Sequence, residues 1–346
     1  MSNPNKTGSN FAYGADVGWL SQLEDQGVIW LDHEGEPKDA LQILRDFGID
    51  SIRLRVFVNP PSSFQWKKNN GVTCYLGYTD THSLLKMAQR ANGMGFRIMV
   101  DIHYSDHFAD PEYQDIPEAW LTHSFSELVQ DVYHHTHDVM SKLVDLGIYP
   151  EWVQVGNEIN SGILLPHGAS NDNNFSHLTE LLNSGYDAVK SVNEASKVVT
   201  HLADGHNNAT FRWFFDNFLK HHGGKTDVIG FSYYPYWIGT DYKENMDALK
   251  NNLNDVASSY HKEVMVCEVG GYDSDETNTY HLLRATINAV KCVPGGRGSG
   301  VFYWEPEANA SVLPDGYPLG ASREISPKVL KISKAMKAFR DSQLDD

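Results

Sequence analysis

The chain has 346 residues, of which 41% are hydrophobic, and a formal net charge of −17. That length admits one large domain or two ordinary ones, with core enough to need no disulfide staple. So acidic a surface repels polyanions and excludes nucleic acid and anionic membranes as natural partners.

Cys74, Cys267 and Cys292 form no disulfide framework and show no metal-ligand spacing, so free, buried thiols are expected. The opening MSNPNKTGSN is polar, without the apolar stretch of a signal peptide, and is read as a flexible extension over 1–10. No run of 18 apolar residues predicts a membrane span. The protein is either the mature form of an exported one (extracellular, cell-surface or periplasmic) or cytoplasmic. Aromatic residues make up 12% of the chain, which suits either a large core or sugar stacking.

Along the chain, short β-rich runs alternate with helical patterns. The runs are Phe11–Gly18, Ser51–Phe57, Arg97–Tyr104, Trp152–Glu158, Lys197–Asp204, Val228–Tyr234, Glu263–Val269 and Gly300–Glu305. Most are dense in Val, Ile, Phe and Tyr, as buried parallel strands are. The helical patterns are Asp39–Phe47, Asp80–Asn92, Phe125–Leu146, Phe175–Val192, Phe211–His221, Asn245–Tyr260, Thr279–Val290 and Pro327–Phe339. Gly48 and Gly147 stand where helices stop. Eight strand–helix units predict one α/β domain over 1–346, a (β/α)8 TIM barrel with its site at the C-terminal ends of the strands. A doubly wound open sheet would show GxGxxG after its first strand, and Tyr13–Gly18 lacks it. Gly295-Gly296-x-Gly298 precedes the eighth strand, the wrong face for a phosphate loop, and reads as a turn.

Reactive residues gather at those strand ends. They are Arg53 and Arg55, His103 to Asp106, Asn157-Glu158, Asp204, Ser232 to Tyr234 with Tyr236 and Trp237, Glu268, and Tyr303 to Glu305. A carboxylate closing an apolar strand is costly unless paired or used. A lone one reads equally well as half of a salt bridge. Two, Glu158 on strand 4 and Glu268 on strand 7, face each other across a barrel mouth. That is what hydrolysis of a glycosidic bond with retention needs, one group to protonate the leaving oxygen and one to attack. Arg53 can keep Glu268 ionised, and the charge of Glu268 helps Glu158 keep its proton. Of Tyr233 and Tyr234, alternation sends one toward the helices and the other into the mouth. His134-His135-x-His137 reads as a solvated helix face, and no metal is expected there or among His103, Asp106, His107 and Asp110.

The segments Gly14-Ala15-Asp16, Ser51–Pro60 (SIRLRVFVNP), His103–Asp106 (HYSD) with Ala109–Pro111 (ADP), Gly156–Ile159 (GNEI), Ser232–Pro235 (SYYP) and Phe302–Pro306 (FYWEP) resemble glycoside hydrolase family 53, the arabinogalactan endo-β-1,4-galactanases. The resemblance runs from residue 11 to about 306. It implies an endo-acting, retaining, cofactor-free monomer whose partner is a neutral galactan. It implies Glu158 as acid/base and Glu268 as nucleophile. Arg53, His103, Asn157, Asp204, Tyr234, Trp237 and Trp304 are the residues expected to support and bind the substrate. His201-Leu-Ala-Asp-Gly205 departs from the family's HLDNG, with Ala203 where an acid is usual and His206-Asn-Asn where Trp is frequent, which implies a shifted product length. The short Gly270–Thr277 loop reads as a helix cap at Asp273, Ser274 and Asp275 rather than as the calcium site of some members. The rival readings are a related barrel acting on mannan or xylan, a carbohydrate-binding barrel without catalysis, and a phosphate-binding metabolic barrel.

Overall fold

The computed structural model describes residues 11–345, and the expected extension over 1–10 lies outside them. Eight strands run β1 (Ala12–Asp16), β2 (Ser51–Val56), β3 (Arg97–Ile102), β4 (Trp152–Val155), β5 (Lys197–Leu202), β6 (Val228–Tyr233), β7 (Glu263–Val269) and β8 (Gly298–Tyr303). All pair in parallel and in chain order, and β8 closes on β1 through Gly14 opposite Phe302. The barrel helices are α1 (Ala40–Asp46), α2 (Thr81–Gly93), α3 (Phe125–Asp145), α4 (Phe175–Val192), α5 (Asn208–Phe215), α6 (Tyr242–Tyr260), α7 (Glu276–Lys291) and α8 (Lys337–Leu344). Side chains at the helix starts satisfy orphan backbone N–H groups: Asp39, Asp80, Asn207, Asp241 and Asp275 cap α1, α2, α5, α6 and α7, and Ser124 forms a capping box with Glu127 on α3. In the loop before α7, Asp275 thus does the capping, whereas Asp273 accepts instead from Asn309.

Strand alternation sorts the barrel interior into layers. The lower layer is apolar and draws on seven strands, with Ala12, Met99, Trp152, Val199, Val228, Met265, Cys267 and Phe302 all buried. Gly14 is required here, because a Cβ would sit 2.1 Å from the Phe302 ring. Further up the strands the interior turns polar, with Asp16, Arg53, Asp101, Gln154, His201 and Ser232. Glu268 joins them through an irregularity. Cys267 faces inward, so strict alternation would turn Glu268 outward, but the β6–β7 register slips by one residue there, and Ser232 pairs with Glu268. The bulge turns two successive β7 side chains to the same side.

Three expectations need correction. Pro327–Phe339 is not a helix. Val329–Ile332 is a strand, paired antiparallel to Ser322–Ser326 and parallel to Ile29–Leu31, and it ties the β8–α8 connection to the β1–α1 connection. The helical stretch starts only at Lys334. His135 does not share the solvated face of His134 and His137. It packs edge-on between Tyr104 and Trp120, and burial lowers its pKa to about 4. Cys292 is exposed, unlike Cys74 and Cys267.

Candidate active site

A cleft of about 590 Å³ opens at the C-terminal ends of the strands. Of the expected residues, His103, Asn157, Glu158, Asp204, Tyr234, Trp237, Glu268 and Trp304 line it together. Arg53, expected among the substrate-binding residues, does not. It is fully buried beneath the floor and reaches the cleft only through Glu268 and Asn157.

Glu268 is the more heavily held carboxylate. Its Oε1 lies 3.0 Å from Arg53 Nη1, and its Oε2 accepts from the Tyr234 hydroxyl at 2.9 Å. Burial, with the Asp101 charge, holds its pKa above the ordinary value, while Arg53 and Tyr234 pull it down. Tyr233, the neighbour on the other face, is buried and donates to Asn245 on α6. Arg53 also binds Asp16 Oδ2 at 2.8 Å and Asp101 Oδ2 at 2.9 Å. Three buried carboxylates thus share one cation. Burial holds Asp16 well above the usual carboxylate range, whereas Arg53 and His103 keep Asp101 below it.

Glu158 stands just past β4 in a left-handed backbone conformation, φ 47° and ψ 54°. The Ser232 hydroxyl favours the charged form of its carboxyl group. Burial first, and then the Glu268 charge, raise its pKa well above the ordinary value. Oxygens of Glu158 and Glu268 lie within 4.8 Å of each other. The preceding Asn157 takes Arg53 Nη2 on its Oδ1 at 2.9 Å and gives its Nδ2 to the Ala109 carbonyl at 2.8 Å.

His103 is fixed by Asp101 at 3.0 Å on Nε2 and by the Ala109 N–H at 2.9 Å on Nδ1, so it is neutral with its proton on Nε2, and burial lowers its pKa. Trp304 meets Trp19 and Tyr317 edge-on, each at 4.9 Å between ring centroids. The Arg55 guanidinium lies 5.6 Å from the Trp304 ring centroid and is paired with Glu305 at 2.5 Å. Trp237 is 60% exposed at the cleft rim, and Asp204 and Ala203 lie on the wall nearby.

Among the described residues, the one His and carboxylate group tight enough to share an ion is Glu158, His201 and Glu268. Both nitrogens of His201 are already engaged, by Gln154 and Ser232, leaving no lone pair for a metal. Asp106 staples its loop by accepting from the Asn59 and Glu118 N–H groups, and His107 stacks on Trp66 at 4.0 Å.

Sequence reasoning missed Asp101, Gln154 and His201 as members of the site and gave Asp16 no role. A period-two count back from each strand end finds them, since Gln154 and Asp101 sit on the inward face with Trp152 and Met99.

Comparison with known proteins agrees with this geometry. The model of glycosyl hydrolase family 53 matches residues 12–339. A probable arabinogalactan endo-β-1,4-galactanase A of Aspergillus terreus is 32% identical over 318 residues, covering 85% of this chain and 84% of that protein. The arabinogalactan endo-β-1,4-galactanase of Cellvibrio japonicus is 31% identical over 326 residues, covering 86% and 80%. Among solved structures, the Ignisphaera aggregans GH53 catalytic domain superposes with a TM-score of 0.81 at 28% identity, covering 98% of each chain. With the family model spanning nearly the whole described barrel, the chain belongs to glycosyl hydrolase family 53.

Proposed function

We propose that this chain is an arabinogalactan endo-β-1,4-galactanase that works with retention, Glu158 serving as acid/base and Glu268 as nucleophile. The observation that carries the mechanism is that one oxygen of Glu158 and one of Glu268 lie within 4.8 Å of each other, in unequal surroundings. Retention needs a spacing of about 5–5.5 Å, whereas inversion leaves roughly 6.5–9.5 Å for a water. Arg53 and Tyr234 favour the charged form of Glu268 and aim it, while Glu158, its pKa raised more strongly, keeps its proton. The galactan assignment is supported by the names of the relatives.

In the first step Glu158 gives its proton to the glycosidic oxygen as that bond breaks, and a Glu268 oxygen bonds to the anomeric carbon. Glu268 is then an ester without charge, so the strongest repulsion on Glu158 disappears and its pKa falls. It can now take a proton from water, whose oxygen attacks the same carbon and frees Glu268. Trp304 floors the subsite of the reacting sugar, His103 lines it, and Asn157 offers a hydrogen bond to its hydroxyls. Trp237 and Asp204 extend binding along the cleft. The chain is read as one catalytic domain acting as a monomer, as the resemblance to the family implies. No described helix is long and apolar enough to cross a membrane. A polymer substrate too large to enter a cell supports reading the protein as an exported one.

Reducing-end release from unbranched β-1,4-galactan, with mannan, xylan and cellulose as controls, tests the assignment. Galactan alone is expected to be cleaved, with the β-anomer appearing first by NMR, and Glu268→Ala is expected to be inactive yet folded. Faster hydrolysis of mannan or xylan would overturn the substrate. Near-normal activity in Glu268→Ala would overturn the nucleophile.

A further inference from the structure

We propose that Trp237, Tyr236 and Tyr272 form an aromatic platform that leads out of the cleft and takes galactosyl units of a long chain beyond those the cleft encloses. The platform rests on the reading of the substrate as β-1,4-galactan.

Five Trp, Tyr or Phe side chains are exposed among the described residues, and three of the five lie together beside the cleft. Trp237 lines the cleft, whereas Tyr236 and Tyr272, 39% and 44% exposed, lie outside its lining and carry the patch outward. The rings of Tyr236 and Trp237 are 4.6 Å apart between centroids, and those of Tyr236 and Tyr272 are 5.4 Å apart. Single exposed aromatics are ordinary, but a contiguous patch bordering a site marks a surface that a ligand or partner covers. Continuity with the cleft identifies the occupant. A chain that lies in the cleft and leaves it past Trp237 passes over Tyr236 and Tyr272.

The backbone beneath the patch is fixed. Tyr236 and Trp237 ride on a single helical turn, Pro235–Ile238, just after β6. Pro235 is buried and Ile238 packs against the core, so the turn is anchored at both ends while its two middle rings face solvent. Tyr272 follows β7. Its carbonyl accepts from the Asp275 N–H at 3.0 Å and from the Thr279 hydroxyl at 3.1 Å, and the neighbouring Asp273 N–H donates to the Pro318 carbonyl at 2.9 Å. Rigid aromatic anchors lose little entropy when a ligand covers them.

The chemistry and the shape both suit galactan. The axial O4 of β-galactose leaves the C3, C4 and C5 hydrogens on one side, an apolar face that stacks on an aromatic ring. The rings are turned against one another, by 81° between Tyr236 and Trp237 and by 48° between Tyr236 and Tyr272. A coplanar strip would suit the straight ribbon of a β-1,4-glucan, and turned rings suit a chain that curves. Trp237 and Tyr272 are the stacking surfaces, and Tyr236, in contact with both, sets their angle.

Tyr272→Ala is the test, since the ring is exposed and its removal leaves the Tyr236–Trp237 contact in place. In native gels loaded with unbranched β-1,4-galactan, the Glu268→Ala protein reports binding without hydrolysis. Adding Tyr272→Ala is expected to weaken that binding about tenfold, the worth of one good aromatic contact. In the active enzyme Tyr272→Ala should raise KM on the polymer with kcat held, and raise it far less on β-1,4-galactotriose, which is too short to span cleft and platform. Tyr272→Phe keeps the ring and should bind the polymer like the parent. Unchanged polymer binding in Tyr272→Ala, or an equal rise in KM on polymer and trisaccharide, would overturn the platform. So would a concentration-dependent dimer in sedimentation that Tyr272→Ala abolishes, because the patch would then be covered by a second copy. An unmodified enzyme that releases no reducing ends from galactan would sink the substrate reading instead, and the galactan gels would still report whether the patch holds the polymer.

Discussion

Arg53 Nη1 lies 3.0 Å from Glu268 Oε1, and that same nitrogen lies 2.8 Å from Asp16. The guanidinium is a fork whose geometry a lysine cannot reproduce. Arg53→Lys keeps the charge but abandons at least one of Asp16, Asp101 and Glu268. Leaving a buried charge unpaired costs about 3–5 kcal/mol. The variant should therefore unfold at clearly lower denaturant and lose about 100-fold or more in kcat/KM. Activity within threefold of the parent would contradict the arrangement.

Tyr234 donates to Glu268 Oε2 at 2.9 Å and so favours its ionised form. Tyr234→Phe should lower kcat by about 10- to 100-fold, since a hydrogen bond to a charged group is worth about 1.5–3 kcal/mol. The sign on pH is fixed as well. Without the donor the Glu268 pKa rises, so the acidic limb of the profile should move to higher pH and the loss should be greatest in acid. Kinetics from pH 4 to 8 would check both.

Glu158→Gln removes the proton that the leaving oxygen needs while leaving Glu268 in place. Turnover of galactan should fall by about 100-fold or more, within the usual worth of general acid catalysis. An aryl galactoside with an acidic phenol should be formed into its glycosyl-enzyme nearly as fast as before, visible as a burst of released phenol. Equal losses on both substrates would count against the acid role.

Glu307 is fully buried with neither oxygen receiving a hydrogen bond, and burial and the Glu305 charge push its pKa well above the ordinary value. A raised folded-state pKa favours the neutral carboxyl group. The folded protein therefore holds a proton that the unfolded chain has lost, and stability falls as pH rises above the unfolded pKa of about 4.5. Glu307→Gln abolishes that term. Its melting temperature relative to the parent should climb between pH 5 and pH 8, with a slope in free energy approaching about 1.4 kcal/mol per pH unit. A difference that stays constant with pH would refute the neutral state of Glu307.

The barrel was readable because each buried parallel strand is a short apolar run and each helix after it has an amphipathic period. The Phe175–Val192 helix and the Glu263–Val269 strand have the bounds expected from sequence. The segment from Val329 misled because Lys331 and Lys334 mimic the polar side of a helix. Its Leu330 and Ile332 are in fact a buried alternation stabilised by Ile29–Leu31, some 300 residues away in the chain. Glu158 and Glu268 were legible as charges that close apolar strands. The inward turn of Glu268 was not, because it depends on a bulge at Cys267 that only the pairing with β6 reveals. Arg53 was legible as a partner of Glu268 but not as the buried centre of a group drawn from β1, β3, β4 and β7, which exists only once the barrel closes.

Glu158 holds the left-handed backbone that glycine adopts freely and that costs an ordinary residue about 1–2 kcal/mol. It also buries a carboxyl group that resists ionising. On both counts the fold would be better served by almost anything else at this position. A chain relieved of its chemistry by Glu158→Gly should come out at least as stable as the parent. The durability of the barrel and the retention of its working group therefore pull in opposite directions, and selection for stability alone would discard Glu158 early.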